Sequence, residues 1–293
     1  MASIGAILFS GKAVIIKLAY SYGTDAATLL ALRMLMALPI FWAIYGWQSR
    51  RVTMSPLSSL DIGKIILLGF TGYFLSSYLD FLGLQYISVG LERIVLYLTP
   101  TLVLLISRFF LNKPISRQQW YALIIGYLGV IIVFIEDAKY SGLTAWIGMI
   151  LVFGAAFTYA IYMISSGEMV KRVGSIRLVV FASTASAILS LIQILLKDAS
   201  SILKQPMEIY WLSLVNASLC TVLPMLLIMI SINRIGSPLV AQAGILGPIS
   251  TIFMGYIFLS EPISNWQFGG MALVIMAMWF LVRSGKPNNT EIE

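Results

Sequence analysis

Six charged side chains lie inside long apolar stretches of the first half of the chain. They are Lys12, Lys17, Arg33, Asp80, Glu92 and Arg93. A charge at the centre of a lipid bilayer costs about 2.5–3.5 kcal/mol on insertion scales, so such residues pair with one another, face a wet cavity or contact a substrate. The second half has no charged residue at equivalent depth. We therefore expect a central cavity that is electrically asymmetric.

Lys12 is the most central of these charges. It lies in the middle of the apolar stretch 4–20, about 12 Å from either end at 1.5 Å per residue. Its side chain cannot easily reach water from there, and we expect no acidic residue at its depth. Lys12 then either binds a carbonyl at a broken helix or contacts the substrate, which would carry a carboxylate or another anionic group.

The other five charges lie nearer the outer end of their apolar stretches. One interpretation is a structural layer of ion pairs, and the other is an outer gate whose pairs break when that side opens. We expect Arg33 to contact Asp80 or Glu92. The predicted outer gate or ion-pair layer is Lys17, Arg33, Asp80, Glu92 and Arg93.

Polar side chains recur at helical spacing in several apolar stretches. Buried hydroxyls and amides need partners, so these faces point inward, either as contacts between helices or as the wall of a polar, aromatic cavity. The predicted substrate cavity is formed by Lys12, Tyr73, Ser77, Tyr97, Thr101, Tyr159, Tyr162, Asn216 and Gln242. Prolines that interrupt helices are predicted hinges, namely Pro100, Pro224 and Pro248.

Composition places the chain in a membrane. Of its 293 residues, 59% are apolar and only 11% charged, with a mean hydropathy of +0.93, whereas soluble domains carry about 25% charge. Ten stretches are long enough to cross a bilayer. We predict an all-α integral membrane protein with ten transmembrane helices, and lipid as its surroundings. The chain has one cysteine, no histidine and no catalytic or phosphate-loop motif, so we expect no enzyme, metal or cofactor.

The net charge of +7 is a topology signal, so we expect no nucleic-acid partner. With the N-terminus in the cytoplasm, twelve basic residues fall in inside segments and three in outside loops. The inside residues are Arg50, Arg51, Lys64, Arg108, Lys113, Arg117, Lys171, Arg172, Arg177, Arg234, Arg283 and Lys286, and the outside ones are Lys139, Lys197 and Lys204. We predict a multi-pass protein of the cytoplasmic (inner) membrane with both termini cytoplasmic.

The chain contains one unit twice. Residues 111–116 (LNKPIS) and 259–264 (LSEPIS) lie 148 positions apart, and each continues into a Ser-x-x-Gln capping box. The offset gives five spans per unit, so the second unit enters the membrane from the opposite side. We predict inverted five-helix repeats, 1–137 and 138–286, around a central cavity, followed by a tail, 287–293. Inverted repeats are typical of secondary transporters, although a channel is the alternative.

Three segments resemble the first repeat of the EamA family, in the drug/metabolite transporter superfamily. They read KAVIIKLAY (12–20), LLALRM (29–34) and GLERIVLYLTP (90–100). The resemblance implies helices 1–4 and 6–9 around the cavity, helices 5 and 10 at the periphery, and movement of small metabolites, often amino acids leaving the cell.

The combined prediction is a secondary transporter that works by alternating access. We expect it to move small carboxylate-bearing or zwitterionic, amino-acid-like molecules, with export favoured, as a monomer or weak homodimer. The alternative is a flippase or exporter of lipids or amphipathic compounds on the same scaffold.

Overall fold

The computed structural model describes residues 1–50, 56–112, 114–235 and 246–284. These ranges contain helices and no strands, which confirms the all-α membrane fold. The helices are α1 (Ala2–Tyr20), α2 (Ala26–Ser49), α3 (Ser59–Leu68), α4 (Ser76–Gly83), α5 (Val89–Leu96), α6 (Thr99–Leu111), α7 (Arg117–Ser141), α8 (Thr144–Val173), α9 (Ser175–Asp198), α10 (Met207–Ala217), α11 (Leu223–Ile235), α12 (Leu246–Leu259) and α13 (Asn265–Ser284).

Within those ranges, nine helical segments are long and apolar enough to cross a membrane. Three are composite: α3 with α4, α5 with α6, and α10 with α11. A further apolar helix, α12, is shorter, and residues 236–245 before it lie outside the described ranges. Large apolar side chains such as Phe110, Leu143 and Leu196 are exposed. These apolar side chains are compatible with surrounding lipid. The helices are compatible with it too, because they satisfy their own backbone hydrogen bonds in hydrocarbon.

Helix starts follow local capping chemistry. The capping boxes predicted in both repeats are present: Gln119 N donates to Ser116 Oγ, and Gln267 N donates to Ser264 Oγ. Asp25 starts α2 by accepting from the backbone N–H groups of the following turn. Burial disfavours its ionised form, but hydrogen bonds from Thr28 and the charge of Lys197 outweigh this and lower the pKa of Asp25.

The third span of each repeat is interrupted at the same place. A π-helical turn, Gly69–Leu75, joins α3 to α4, and a second, Ser218–Val222, joins α10 to α11. The 148-residue offset maps the first turn onto 217–223. At Gly72 an added Cβ would lie 2.3 Å from the ring of Tyr162, so the span approaches α8 too closely for any side chain. π-helical turns occur often at functional sites.

The buried apolar side chains form several separate clusters. One cluster, which includes Ala13, Ile16, Leu30, Phe81 and Leu84, fills the space between the C-terminal half of α1 and its neighbours. At the side of the bundle, α7 packs along α13. There, a Cβ added to Gly129 would meet the carbonyl of Gly270 at 2.7 Å, so the two backbones touch.

Candidate functional site

A cavity of about 380 Å³ lies between the two repeats. Its size is within the range of small-molecule sites. The first repeat contributes side chains from α1, α2, the first π-helical turn, α4, α5 and the start of α6. The second repeat contributes Tyr159 and Met163 of α8, Thr221 of the second π-helical turn, Ile228 of α11 and the start of α12. The wall is mainly apolar and aromatic, with a few charged groups.

The cavity extends toward the N-terminal end of α1 and is blocked toward the other end. Phe9, Tyr159 and Met163 line it and are all more than a third exposed. Beyond Lys12, the α1 residues Ala13 and Ile16 are fully buried. On α1 the cavity lining therefore runs from Ala6 to Lys12, on the side of the N-terminus. The buried end beyond Lys12 is the closed end of the cavity.

Lys12 has an acidic partner, so the expectation that it lacks one was wrong. Its Nζ atom lies 2.6 Å from Oδ2 of Asp80, and both side chains are nearly inaccessible. Counting residues along separate helices placed Asp80 nearer the outer boundary than Lys12. The relative alignment of the two helices and the length of the lysine side chain bridge this difference in depth. Lys12 lines the cavity as half of an ion pair, and the other oxygen of Asp80, Oδ1, has no hydrogen-bond partner in the part of the chain that the structure describes.

The structure does not pair Arg33 with Asp80 or Glu92 as expected. Its Nη2 atom donates to Ser77 Oγ at 2.8 Å, and its guanidinium stacks over the ring of Phe81 at 4.8 Å. Its Nε atom has no hydrogen-bond partner among the described residues. Lys12 occupies the carboxylate that Arg33 was expected to bind, so Arg33 is a cavity-lining cation held by a neutral hydroxyl.

Arg93 connects the repeats beside the cavity. Its Nε atom donates to Thr251 Oγ1 of α12, and its Nη2 atom donates to the carbonyl of Ser10. The neighbouring Glu92 is completely buried, and its nearest approach to Arg93 is 3.9 Å. Neither carboxyl oxygen of Glu92 has a hydrogen-bond donor within the described ranges.

Lys17 forms an ion pair with a residue of the second repeat. The predicted layer of ion pairs contained only charges of the first repeat, and for Lys17 that prediction was wrong. Its Nζ atom lies 2.9 Å from Oε1 of Glu261 and 2.6 Å from the carbonyl of Ile87. Glu261 also accepts from the backbone N–H of Val89, where α5 begins. These contacts join α1, α5 and the segment before α13 at the closed end. Glu261 was missed as a partner because it belongs to a loop, although the repeat register matches it to Lys113.

The predicted cavity residues separate into three groups. Lys12, Tyr73, Ser77, Tyr97 and Tyr159 line the cavity. Three others, Thr101, Tyr162 and Asn216, lie outside its lining. The hydroxyl of Thr101 donates to the carbonyl of Leu98, and the hydroxyl of Tyr162 lies 3.2 Å from that of Tyr73. Asn216 is buried, and its Oδ1 atom has no partner among the described residues. Gln242 lies outside the described residues.

The predicted hinge residues lie at or beside helix interruptions. Pro100 lies in the first turn of α6, directly after the break at Tyr97 and Leu98. Pro224 is the second residue of α11 and follows the second π-helical turn. Pro248 is near the start of α12, and both Pro100 and Pro248 line the cavity. Their role as hinges stays a prediction.

Thr221 is a cavity residue that the polar pattern did not single out. It lies 148 positions after Tyr73, so the two repeats place equivalent positions of their π-helical turns on opposite walls. The repeat register could have found it. Ser76, which belongs to the same polar stripe as Tyr73 and Ser77, also lines the wall, and its hydroxyl donates to the carbonyl of Ala155.

The charged groups around the cavity leave at least one positive charge in excess, even when both carboxyl groups are ionised. Lys12, Arg33 and Arg93 are positive, whereas Asp80 and Glu92 can be negative. Within the described ranges, no three histidine, cysteine or carboxylate residues lie close enough to hold a metal ion. The arrangement therefore suits an organic anion better than a cation.

Comparison with known proteins agrees with this architecture. Residues 1–135 and 146–283 match the EamA-like transporter family. An uncharacterized transporter of Bacillus subtilis, YcbK, is 31% identical over 97% of this chain and 93% of its own length. A second uncharacterized transporter of that organism, YetK, is 23% identical over 96% of this chain and 84% of its own length. A crystal structure of a protein with 16% identity covers 98% of both chains with a TM-score of 0.65, which supports the fold alone.

Proposed function

The chain belongs to the EamA-like transporter family, and we propose that it is a secondary transporter of small carboxylate-bearing or zwitterionic metabolites, with amino acids as the leading class. The observation that carries this proposal is the cavity between the repeats, which is closed at one end and holds at least one excess positive charge. That excess attracts the carboxylate of a cargo molecule. A bare cation would be repelled by it.

Arg33 is the group best placed to bind the carboxylate. Lys12 is already paired with Asp80, and Arg93 is held by Thr251 and a backbone carbonyl. Arg33 lines the cavity, its partner Ser77 is neutral, and its buried Nε atom has no hydrogen-bond partner among the described residues. A guanidinium binds a carboxylate through two parallel hydrogen bonds, and the low dielectric of a buried site strengthens the attraction.

The rest of the cargo would contact aromatic rings. Tyr73, Tyr97, Tyr159 and Phe9 line the cavity, and Tyr73 and Tyr159 both contact the ring of Tyr162. Such rings accommodate an apolar side chain and can also hold an ammonium group through cation–π attraction. This combination of one guanidinium and several rings supports an amino acid with an apolar side chain as the cargo.

Alternating access is supported by equivalent breaks in the two repeats. The π-helical turns Gly69–Leu75 and Ser218–Val222 border the same cavity from opposite sides. The closed end is joined by the Lys17–Glu261 ion pair between repeats. We infer that breaking this pair, with bending at the helix interruptions, opens the other side of the cavity.

Orientation decides which side of the membrane this conformation serves. On the positive-inside assignment, the end toward which the cavity extends faces the cytoplasm, so we infer that this conformation binds or releases cargo there. Cysteines placed at Leu203 and Gln118, which are both exposed and on opposite sides of the proposed bilayer, test the assignment. An impermeant reagent added to intact cells should label the Leu203 variant only, and the reverse pattern would place that end of the cavity outside the cell.

A binding experiment on purified protein tests the proposed cargo. The probes are L-leucine, 4-methylpentanoic acid, which lacks the amine, and 3-methylbutylamine, which lacks the carboxylate. We expect thermal stabilisation by the first two probes and none by the amine. A ligand at 100 times its dissociation constant adds about 2.7 kcal/mol to the free energy of unfolding.

Arg33→Gln provides the specific control. Losing one charge-assisted hydrogen bond costs about 1.5–3 kcal/mol, so the variant should bind about 10- to 100-fold more weakly. Arg172→Gln removes an exposed arginine outside the cavity lining and should bind normally. Stabilisation by the amine alone, or by lipid instead of any of the three probes, would contradict the proposed cargo.

A further inference from the structure

Glu92 is the buried ionisable group that the proposed carboxylate site does not use. It has no solvent exposure, and neither of its carboxyl oxygens accepts a hydrogen bond within the described ranges. An ionised carboxylate in such a place is costly, because burial removes its water and nothing replaces it. Its closest positive group is Arg93, at 3.9 Å, and that guanidinium donates to other acceptors.

A second carboxyl group lies beside Glu92. Asp80 is close enough for a side-chain hydrogen bond between the two groups once one of them carries a proton. Asp80 has the free oxygen that such a bond requires, since Oδ2 is taken by Lys12 and Oδ1 has no partner among the described residues. Neighbouring carboxyls in a dry site favour a state in which they hold one proton between them, because ionising both is costly. Neutral Glu92 donating to ionised Asp80 satisfies both groups.

The surroundings of Glu92 limit which other groups could take part. Lys12 faces it from α1, and Arg93 is next to it on α5. One turn earlier, Asp137 of α7 and Glu261 accept from the backbone at the start of α5, and Lys17 neutralises Glu261. The sequences of α12, of α13 up to Val282 and of α8 from Thr144 to Gly167 contain no charged residue. Cys220 and Tyr20 are further titratable neighbours of this cluster.

We propose that Glu92 and Asp80 form a proton-binding site, and that the proton travels with the carboxylate-bearing cargo. Asp80 lines the cavity whereas Glu92 does not, so Asp80 is the entry point. A hydronium ion in the cavity gives its proton to Asp80, which passes it to Glu92. The products are water, neutral Glu92 and Asp80 in its original ionised form, paired with Lys12.

Charge couples this proton to the cargo. With both carboxyls ionised, the cluster has one positive charge in excess, and a proton on Glu92 raises the excess to two. A carboxylate bound at Arg33 is attracted more strongly to the protonated cluster, and by linkage the cargo strengthens proton binding equally. This coupling rests on the proposed function, whereas the proton site itself does not.

Infrared spectroscopy of the cargo-free protein tests the proton site alone. A neutral carboxylic acid has a C=O stretch well separated from the carboxylate bands. We expect this band in the wild-type protein near neutral pH, its loss at alkaline pH, its absence in Glu92→Gln and a shifted band in Glu92→Asp. Glu136→Gln is the matched control, because Glu136 is a buried carboxyl with a lysine partner. A wild-type spectrum without the band, or an unchanged band in Glu92→Gln, overturns the proposal.

Proteoliposomes test the coupling separately. Glutamine has the shape and neutrality of a protonated glutamate, so Glu92→Gln should still exchange L-leucine across the membrane but without moving a proton. A proton gradient should drive net leucine uptake in the wild type and not in this variant. Equal gradient-driven uptake by both proteins refutes coupling through Glu92. If leucine is not a cargo, the infrared result still decides the proton site.

Discussion

Removing Lys12 should destabilise the protein because it leaves a buried aspartate without its lysine partner. In the structure, Lys12 Nζ donates to Asp80 Oδ2 at 2.6 Å, and the Asp80 side chain is 2% exposed. Breaking a buried ion pair by removing one partner costs about 3–5 kcal/mol. We expect Lys12→Met to lose an amount in this range from the free energy of unfolding, or to respond by binding a proton at Asp80.

The double variant Lys12→Met/Asp80→Leu should recover most of this loss, because apolar replacement of a whole buried pair is often neutral or stabilising. Denaturation in mixed micelles, followed by circular dichroism, gives the four free energies of the cycle. Lys204→Met, which removes an exposed lysine, should change stability by less than about 0.5 kcal/mol.

The result that refutes the reasoning is a Lys12→Met protein as stable as the wild type at neutral and alkaline pH. At alkaline pH, Asp80 cannot become neutral by binding a proton, so the variant should show the full loss in the free energy of unfolding. A double variant that is less stable than both single variants would also contradict the pair.

Three other predictions follow from the contacts. Glu261→Gln weakens the ion pair with Lys17, so hydrogen–deuterium exchange at the buried end of α1 should become faster, and an unchanged rate would show that the pair does not hold this end closed. Gly72→Ala introduces a Cβ 2.3 Å from a tyrosine ring, whereas one at Gly167 meets nothing within 4 Å. Alanine at Gly72 should therefore cost about 1–3 kcal/mol and at Gly167 nothing, and equal melting temperatures would contradict the close contact. Asp25→Ala removes a helix cap worth about 1 kcal/mol. Because the folded-state pKa of Asp25 is lowered, this contribution is complete above the ordinary aspartate pKa of about 3.9 and disappears as pH falls through the folded value. A stability difference between wild type and variant that persists in stronger acid would be inconsistent with this assignment.

The fold could be predicted from the sequence because two strong signals agree. Apolar segments of membrane-spanning length define the helices, and the repeated LNKPIS and LSEPIS segments with their capping boxes define two inverted units. Both signals are local. They depend on residue type and spacing along the chain, and a bilayer leaves helices as the natural solution for such segments.

The charge pairing could not be predicted, because it depends on how helices are tilted and aligned. Counting residues gives depth along one helix but not between two helices, so Lys12 and Asp80 were assigned to different levels. Glu261 lies outside the membrane-spanning segments, and its reach to Lys17 depends on the loop before α13. The π-helical turns also could not be predicted from the spacing of apolar residues, because each lies within a continuous apolar segment and alters the helix only locally.

Counterflow of L-leucine in proteoliposomes is the most direct test of the central claim that the cavity is an alternating-access site for carboxylate-bearing cargo. Vesicles loaded with unlabelled leucine should transiently accumulate the labelled form through the wild-type protein. Arg33→Gln should reduce this accumulation about 10- to 100-fold, and loading with 3-methylbutylamine should not support it. Accumulation that is equal in Arg33→Gln, or that the amine supports as well as leucine does, would contradict the account.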